Sequence, residues 1–216
     1  MQFDHEHNPH LMKDTDRDKK PTLRISHIVY GRERRGNRVV YHLDPKGEGT
    51  EKAIAEQVVL HRWRRRVFPG HTFSGARLSP NLWRALPLVL SADTSLWGSL
   101  TPEKIRELAD RKRGELRRSR LSVPSENVTW ALVQVCGGDR LRMILERHND
   151  PDRLEKFGTP DLFLYATCDE TKQPKIARFV EVKKPGEAVS GDQHEEIEFL
   201  QSLGLHARIL RLVERM

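Results

Sequence analysis

At 216 residues, with 32% charged and 37% hydrophobic side chains, the chain has the size and composition of one soluble domain with a buried core, not of a disordered polyelectrolyte. Its longest apolar run, residues 86–90, is far short of the roughly 20 residues that span a bilayer, so no membrane is expected. Two cysteines, Cys136 and Cys168, exclude a disulfide framework or a Cys-rich metal site and point to a reducing compartment, cytoplasmic and nucleoid-associated. The excess of 38 Lys and Arg over 31 Asp and Glu is compatible with a nucleic-acid partner, and its distribution matters more than its total of +7.

Residues 1–21 lack periodicity and read as a flexible tail, with His5, His7 and His10 as part of a polar leader. Residues 25–30 and 38–43 flank a basic stretch, 31–37, and predict a β-hairpin with a positive tip. A helix is predicted over 51–66, capped by Thr50. Ala53, Ile54, Val58 and Trp63 share its apolar face, Arg64, Arg65 and Arg66 lie at its C-terminal end, and Phe68-Pro69-Gly70 stops it. A short strand follows at 71–74. Residues 80–120 read as mostly helical, first 81–90 broken by Pro87, then a helix capped by Thr101 with Pro102 at its first position. After Pro124, an apolar run at 130–136 meets Gly137-Gly138, and 139–147 is amphipathic. Strands at 161–165 and 177–183, a helix at 190–203 closed by Gly204, and a last strand at 206–213 complete the chain.

Chemistry concentrates in this last part. Alternation along 177–183 puts Phe179, Glu181 and Lys183 on one face and Val180 and Val182 on the other. A carboxylate and an ammonium inside a Phe/Val strand carry a large desolvation cost unless a charge or a metal answers them. Asp161 stands at the mouth of the preceding strand, just after Gly158-Thr159-Pro160. Two carboxylates beside a lysine suit a hard divalent cation, Mg²⁺ or Mn²⁺, and that combination suits phosphodiester hydrolysis. On the following helix Gln193, Ile197 and Leu200 share a face, which turns Gln193 towards the same centre.

Residues 158–165, 179–186, 190–193 and Leu203-Gly204 resemble the VRR-NUC domain, a branch of the PD-(D/E)XK nuclease superfamily. Residues 133–141 and 152–156 are similar to the C-terminal nuclease domain of the Fanconi-associated nucleases, and the resemblance extends loosely back to about residue 25. It implies an α/β restriction-endonuclease-like core, a mixed sheet flanked by helices, with a helical insertion at about 78–150 in a nuclease domain spanning 22–216. It also implies a metal-dependent deoxyribonuclease, with Asp161, Glu181 and the Val182 carbonyl as metal ligands, Lys183 as the catalytic lysine and Gln193 beside them. The family carries a further acid on its first core helix. Glu51 is the chosen candidate here, as both catalytic residue and metal ligand, with Glu48 and Glu56 as alternatives. Alignment by chain order instead places Ser74 there and implies that the acid is lost. The residue before Gln193, often basic in relatives, is Asp192.

Arg64, Arg65, Arg66, Arg111, Lys112, Arg113, Arg117 and Arg118 are candidate phosphate contacts, and Arg153 is a candidate grip near the cut. The four tryptophans read as core. The expected substrate is flapped, branched or single-strand-containing DNA in repair, replication or mobile-element processing. The insertion favours a monomer, with a homodimeric four-way-junction resolvase and an inactive DNA-binding module as alternatives. The regions that precede the nuclease in larger relatives are missing, so a partner protein is a possible source of DNA-end binding.

Overall fold

The computed structural model describes residues 25–30, 32–35, 38–42, 52–153 and 158–214. Its strands are β1 (Ile25–Tyr30), β2 (Arg32–Arg35), β3 (Arg38–His42), β4 (Lys52–Ala53), β5 (His71–Arg77), β6 (Leu162–Cys168), β7 (Pro174–Lys183) and β8 (Ala207–Glu214). Its α-helices are α1 (Ala55–Arg64), α2 (Pro80–Val89), α3 (Pro102–Arg111), α4 (Arg113–Arg118), α5 (Glu126–Asn149) and α6 (Gly191–Ser202). None of the described helices is long and apolar enough to cross a membrane.

The central sheet has the order β1-β8-β7-β6-β5; β1 and β7 run parallel to β8, and the β7-β6 and β6-β5 pairs are antiparallel. Strand β6 is apolar on both faces because both are covered. Leu162, Leu164 and Ala166 meet Val58, Val59 and Trp63 of α1, together with Val180 and Val182. Phe163 and Tyr165 meet Leu132 and Ile144 of α5, Ile197 and Leu200 of α6, and Phe179. The indole N–H of Trp63 fixes α1 on the sheet by donating to the carbonyls of Ser74 (2.8 Å) and Tyr165 (3.0 Å).

Helices α2 to α5 all lie between β5 and β6, which are themselves paired neighbours. Pro87 sits inside α2 without ending it. Proline cannot donate to the carbonyl four residues back, and that carbonyl, of Trp83, accepts instead from the Asn149 side chain at 3.1 Å. The Thr101 hydroxyl caps α3, accepting from the Lys104 N–H as predicted. The long α5 bends where Gly137 takes φ 72°, a left-handed conformation that glycine adopts without a Cβ clash.

Three sequence expectations need correction. Residues 25–30 and 38–43 do not pair with each other: β1 joins β8, and the basic tip is itself strand β2, paired with β3. Arg35 pairs with Arg38, so the hairpin is formed by β2 and β3 and not by residues 25–30 and 38–43. Helix α1 begins at Ala55, not at 51, because Lys52 and Ala53 extend the β2-β3 hairpin and the Gln57 side chain accepts from the Ile54 N–H. The strand predicted at 71–74 runs on to Arg77, since it pairs with β6 along its whole length.

The core makes a simple forecast. Leu132 is fully buried in the layer beneath the sheet, so Leu132→Ala is expected to lower unfolding free energy by about 2–5 kcal/mol. Met143→Ala, at a position 43% exposed, is expected to change it by no more than about 0.5 kcal/mol in the same denaturant titration.

Candidate active site

Strand β7 ends in an arrangement that its apolar composition makes expensive. Glu181 is 3% exposed and Lys183 2% exposed, two positions apart on one face. The Lys183 ammonium lies 3.1 Å from Glu181 Oε1 and 3.5 Å from Glu187 Oε1, so two acids share one cation. Gln193 donates from Nε2 to the same Glu181 oxygen at 2.5 Å. The other oxygen, Oε2, is buried and accepts no hydrogen bond. Burial, and then the nearby charge of Asp161, push the Glu181 carboxyl up to about 7.

Asp161 sits at the entry to β6. Its carbonyl accepts from Leu78 N–H (2.8 Å) and its Oδ2 from Val182 N–H (2.7 Å), which turns the carboxylate towards the end of β7. Burial raises its pKa and the charge of Glu56 raises it further, while the Val182 N–H and Lys183 pull it down; the net direction is upward. The set Asp161, Glu181 and the Val182 backbone is an all-oxygen donor set, and the unpartnered Glu181 oxygen is the kind of atom that a hard divalent cation satisfies. Among the described residues no three His, Cys, Asp or Glu side chains stand close enough to form a complete metal-ligand cluster.

The following helix positions Gln193. The Ser190 hydroxyl accepts from the Gln193 N–H, and Gln193 Oε1 accepts from the Ser190 N–H, a reciprocal cap that leaves Nε2 for Glu181. Gly158 lies against the first turn of α6. A Cβ there would collide with the Asp192 carbonyl and come within 2.8 Å of the Gln193 Cα, so the approach requires glycine. Farther along α6, Glu196 is buried against α5. It meets His148 Nε2 (3.0 Å) and Arg147 Nε (2.9 Å), and His148 stacks on Trp83 with ring centroids 5.0 Å apart.

The remaining candidates divide. Glu48 and Glu51 lie outside the described residues. Glu56, in the first turn of α1, is the acid whose charge reaches Asp161, and its side chain is 20% exposed. Ser74 stands mid-strand in β5, paired with Tyr165. Arg64 is exposed and donates to the Gly75 carbonyl, and the Arg66 guanidinium lies 5.0 Å from the Trp63 ring centroid. On the insertion, Arg111, Lys112 and Arg113 are each ion-paired on the helix surface, with Glu107, Glu115 and Asp110. Arg117 and Arg118 have no ion pair among the described residues. Arg153 is bound to Glu195 Oε1, and with Arg147 it holds that carboxyl down at about 2.

Sequence reasoning missed Glu187, Arg77 and the Glu196-His148 pair. Glu187 stands four residues after Lys183, a spacing that in a loop carries no orientation. Arg77 Nη2 lies 3.8 Å from Glu56 Oε1, but its place beside the site depends on β5 reaching residue 77.

This fold and site, a mixed sheet with an acid at one strand mouth and Glu-x-Lys on the next strand, define a PD-(D/E)XK nuclease core. The VRR-NUC domain model matches residues 100–213, and the chain belongs to that nuclease family. Among solved structures it is similar to paFAN1 bound to 2-nt 5′-flap DNA with a gap, at a TM-score of 0.53 and 15% identity, covering 93% of this chain and 39% of that one. The same protein bound to 1-nt 5′-flap DNA with a gap gives a TM-score of 0.51 at 15% identity, covering 92% and 39%. This chain therefore spans about two-fifths of the length of paFAN1. No curated protein matches it.

The Glu196 network generates a pH prediction. Burial by itself would raise the Glu196 carboxyl, but hydrogen bonds from His148 and Arg147 outweigh it and hold the group below its ordinary 4.5. A carboxyl depressed in the folded state contributes stability that is complete above the unfolded value and is lost as pH falls through the folded one. Thermal midpoints measured downward from about pH 6 are expected to fall once pH drops below about 4.5, and to fall less steeply in Glu196→Gln. Equal slopes in the two proteins would contradict the assignment.

Proposed function

We propose that this protein is a Mg²⁺- or Mn²⁺-dependent nuclease that hydrolyses phosphodiester bonds in flapped or branched DNA. The observation that carries the reading is the buried Glu181-Lys183 pair, one of whose carboxylate oxygens has no hydrogen-bond partner and whose carboxyl feels the charge of Asp161. An ion pair kept for stability has no need of an unpartnered buried oxygen, and apolar residues at such positions are commonly as stable or more so. The flapped substrate is supported by the family and by the DNA bound to paFAN1, the protein of similar fold.

Asp161, Glu181 and the Val182 carbonyl would hold the cation, with Glu56 as the acid from α1. When bound, the ion supplies positive charge for a scissile phosphate and acidity for a water. The chain's own residues do the rest. Val182 N–H keeps the Asp161 carboxylate oriented, and Gln193 keeps Glu181 from turning away. Lys183, held by Glu181 and Glu187, presents an ammonium with three donors that can orient the attacking water or bind a phosphate oxygen as charge develops. Burial excludes bulk water around the ammonium, which strengthens each of these contacts.

The direct test is cleavage of end-labelled 5′-flap, four-way-junction, single-stranded and duplex DNA with Mn²⁺. Cutting of the flap is expected, and both EDTA and Lys183→Ala are expected to abolish it. Glu56→Gln is expected to slow cutting by about 10²-fold or more, on the scale of removing one charge-stabilising group. No cutting of any substrate, with DNA binding intact, would contradict the proposal and favour a DNA-binding module of the same fold.

A further inference from the structure

Strand β5 is the last strand of the five-stranded sheet, and along its free edge runs a groove of about 650 Å³. Helix α1 forms one wall through Arg64, and the N-terminal turns of α5 form the other through Asn127 and Trp130. The floor is β5, ending at Arg77, with Tyr165 and Thr167 of β6 beside it. From there a smaller cavity of about 220 Å³ continues beyond Arg77 towards Ser79 and Ser122.

We propose that this groove binds a single-stranded segment of the nucleic-acid substrate, with Arg64 and Arg77 on its phosphates and Trp130 against a base. The choice of ligand rests on the nuclease reading, but four observations select this place. The first is charge: the charged side chains lining the groove are both arginines, with hydroxyl and amide groups for company and no acid among the described lining residues. The second is presentation. Arg64 spends one N–H on the Gly75 carbonyl at 2.7 Å, which anchors the guanidinium and leaves its other donors free to meet a ligand. The third is the aromatic residue. Trp63, Trp83 and Trp97 are buried, whereas Trp130 is half-buried and lines the groove. Aromatic faces combined with cationic grooves are how proteins bind single strands without sequence preference.

The fourth observation is direction. Arg77 lies 3.8 Å from Glu56, and the next residue, Leu78, donates its N–H to the Asp161 carbonyl, so the groove ends at the catalytic acids. Eight residues of α1 separate Glu56 from Arg64, a rise of about 12 Å, which is room for a short stretch of strand leading away from the cut. A polypeptide adding to the edge of β5 is the other use for such a groove. It is disfavoured because the Gly75 carbonyl already accepts from Arg64, whose side chain stands against the strand.

The test uses the whole protein in EDTA, so that binding is read without cleavage. A fluorescein-labelled oligothymidylate about ten nucleotides long is titrated while its anisotropy and the tryptophan emission are followed. Saturable binding that quenches emission is expected, and the quench is expected to vanish in Trp130→Phe while most binding remains. Arg64→Ala and Arg77→Ala are each expected to weaken binding by about 10-fold at low salt and to reduce the salt slope by about 1. Asp161→Ala is expected to bind and quench like the native protein while losing cleavage, and a native protein that quenches but cuts no substrate would sink only the nuclease reading. Absence of binding, binding that leaves the emission unchanged, or native affinity in both arginine variants would overturn the inference. In those cases the edge of β5 is left to another occupant.

Discussion

A carboxylate and an ammonium are buried side by side on a strand whose other inward residues are Phe and Val. Removing two charges from water costs several kcal/mol per ion even after relaxation, against a total stability of about 5–15 kcal/mol for a domain. The 3.1 Å contact between Lys183 and Glu181, the Gln193 amide and the second acid Glu187 offset part of that cost. They do not offset all of it, because one Glu181 oxygen has no partner and the carboxyl is pushed up to about 7. The oxygen that lacks a hydrogen-bond partner is the atom through which Glu181 would hold the proposed cation.

Much of the surrounding structure orients these few atoms. Strands β6 and β7 run antiparallel, which brings the mouth of one beside the end of the other and lets Val182 N–H hold Asp161. Helix α6 contributes Gln193, its cap fixes the rotamer, and Gly158 allows the strand-entry loop to approach its first turn. The Glu196 contacts with His148 and Arg147 tie the same helix to α5, so the insertion braces the site from beneath. From the other layer, α1 brings Glu56 towards Asp161, and Trp63 keeps that helix on the sheet.

Features set by local patterns were legible in the sequence. The alternation of β7 revealed which side chains share a face, the Thr101 cap marked a helix start, and spacing on α6 turned Gln193 inward. Features set by pairing between distant segments were less so. Residues 25–30 have the pattern of a strand, but whether they pair with 38–43 or with β8 depends on a partner almost 200 residues away, and the local hairpin was the wrong choice. Pro87 reads as a helix breaker until the Asn149 side chain is seen to occupy the carbonyl that proline leaves. Trp130 packs against the core as the sequence suggests, but only half-buried, and its place at the groove beside β5 could not be read from the sequence. Of the three candidate acids, only Glu56 lies among the described residues, in the first turn of α1.

The central claim is that Asp161 and Glu181 form a divalent-cation site, which accounts for the burial of the Glu181-Lys183 pair. Crystals grown with Mn²⁺ and measured at the manganese absorption edge test it most directly. The account predicts an anomalous peak touching Asp161, the Glu181 oxygen that lacks a partner and the Val182 carbonyl, and no peak there in Glu181→Gln crystals. A protein that takes up no Mn²⁺ at this place, with Glu181 still bound only to Lys183 and Gln193, would contradict it.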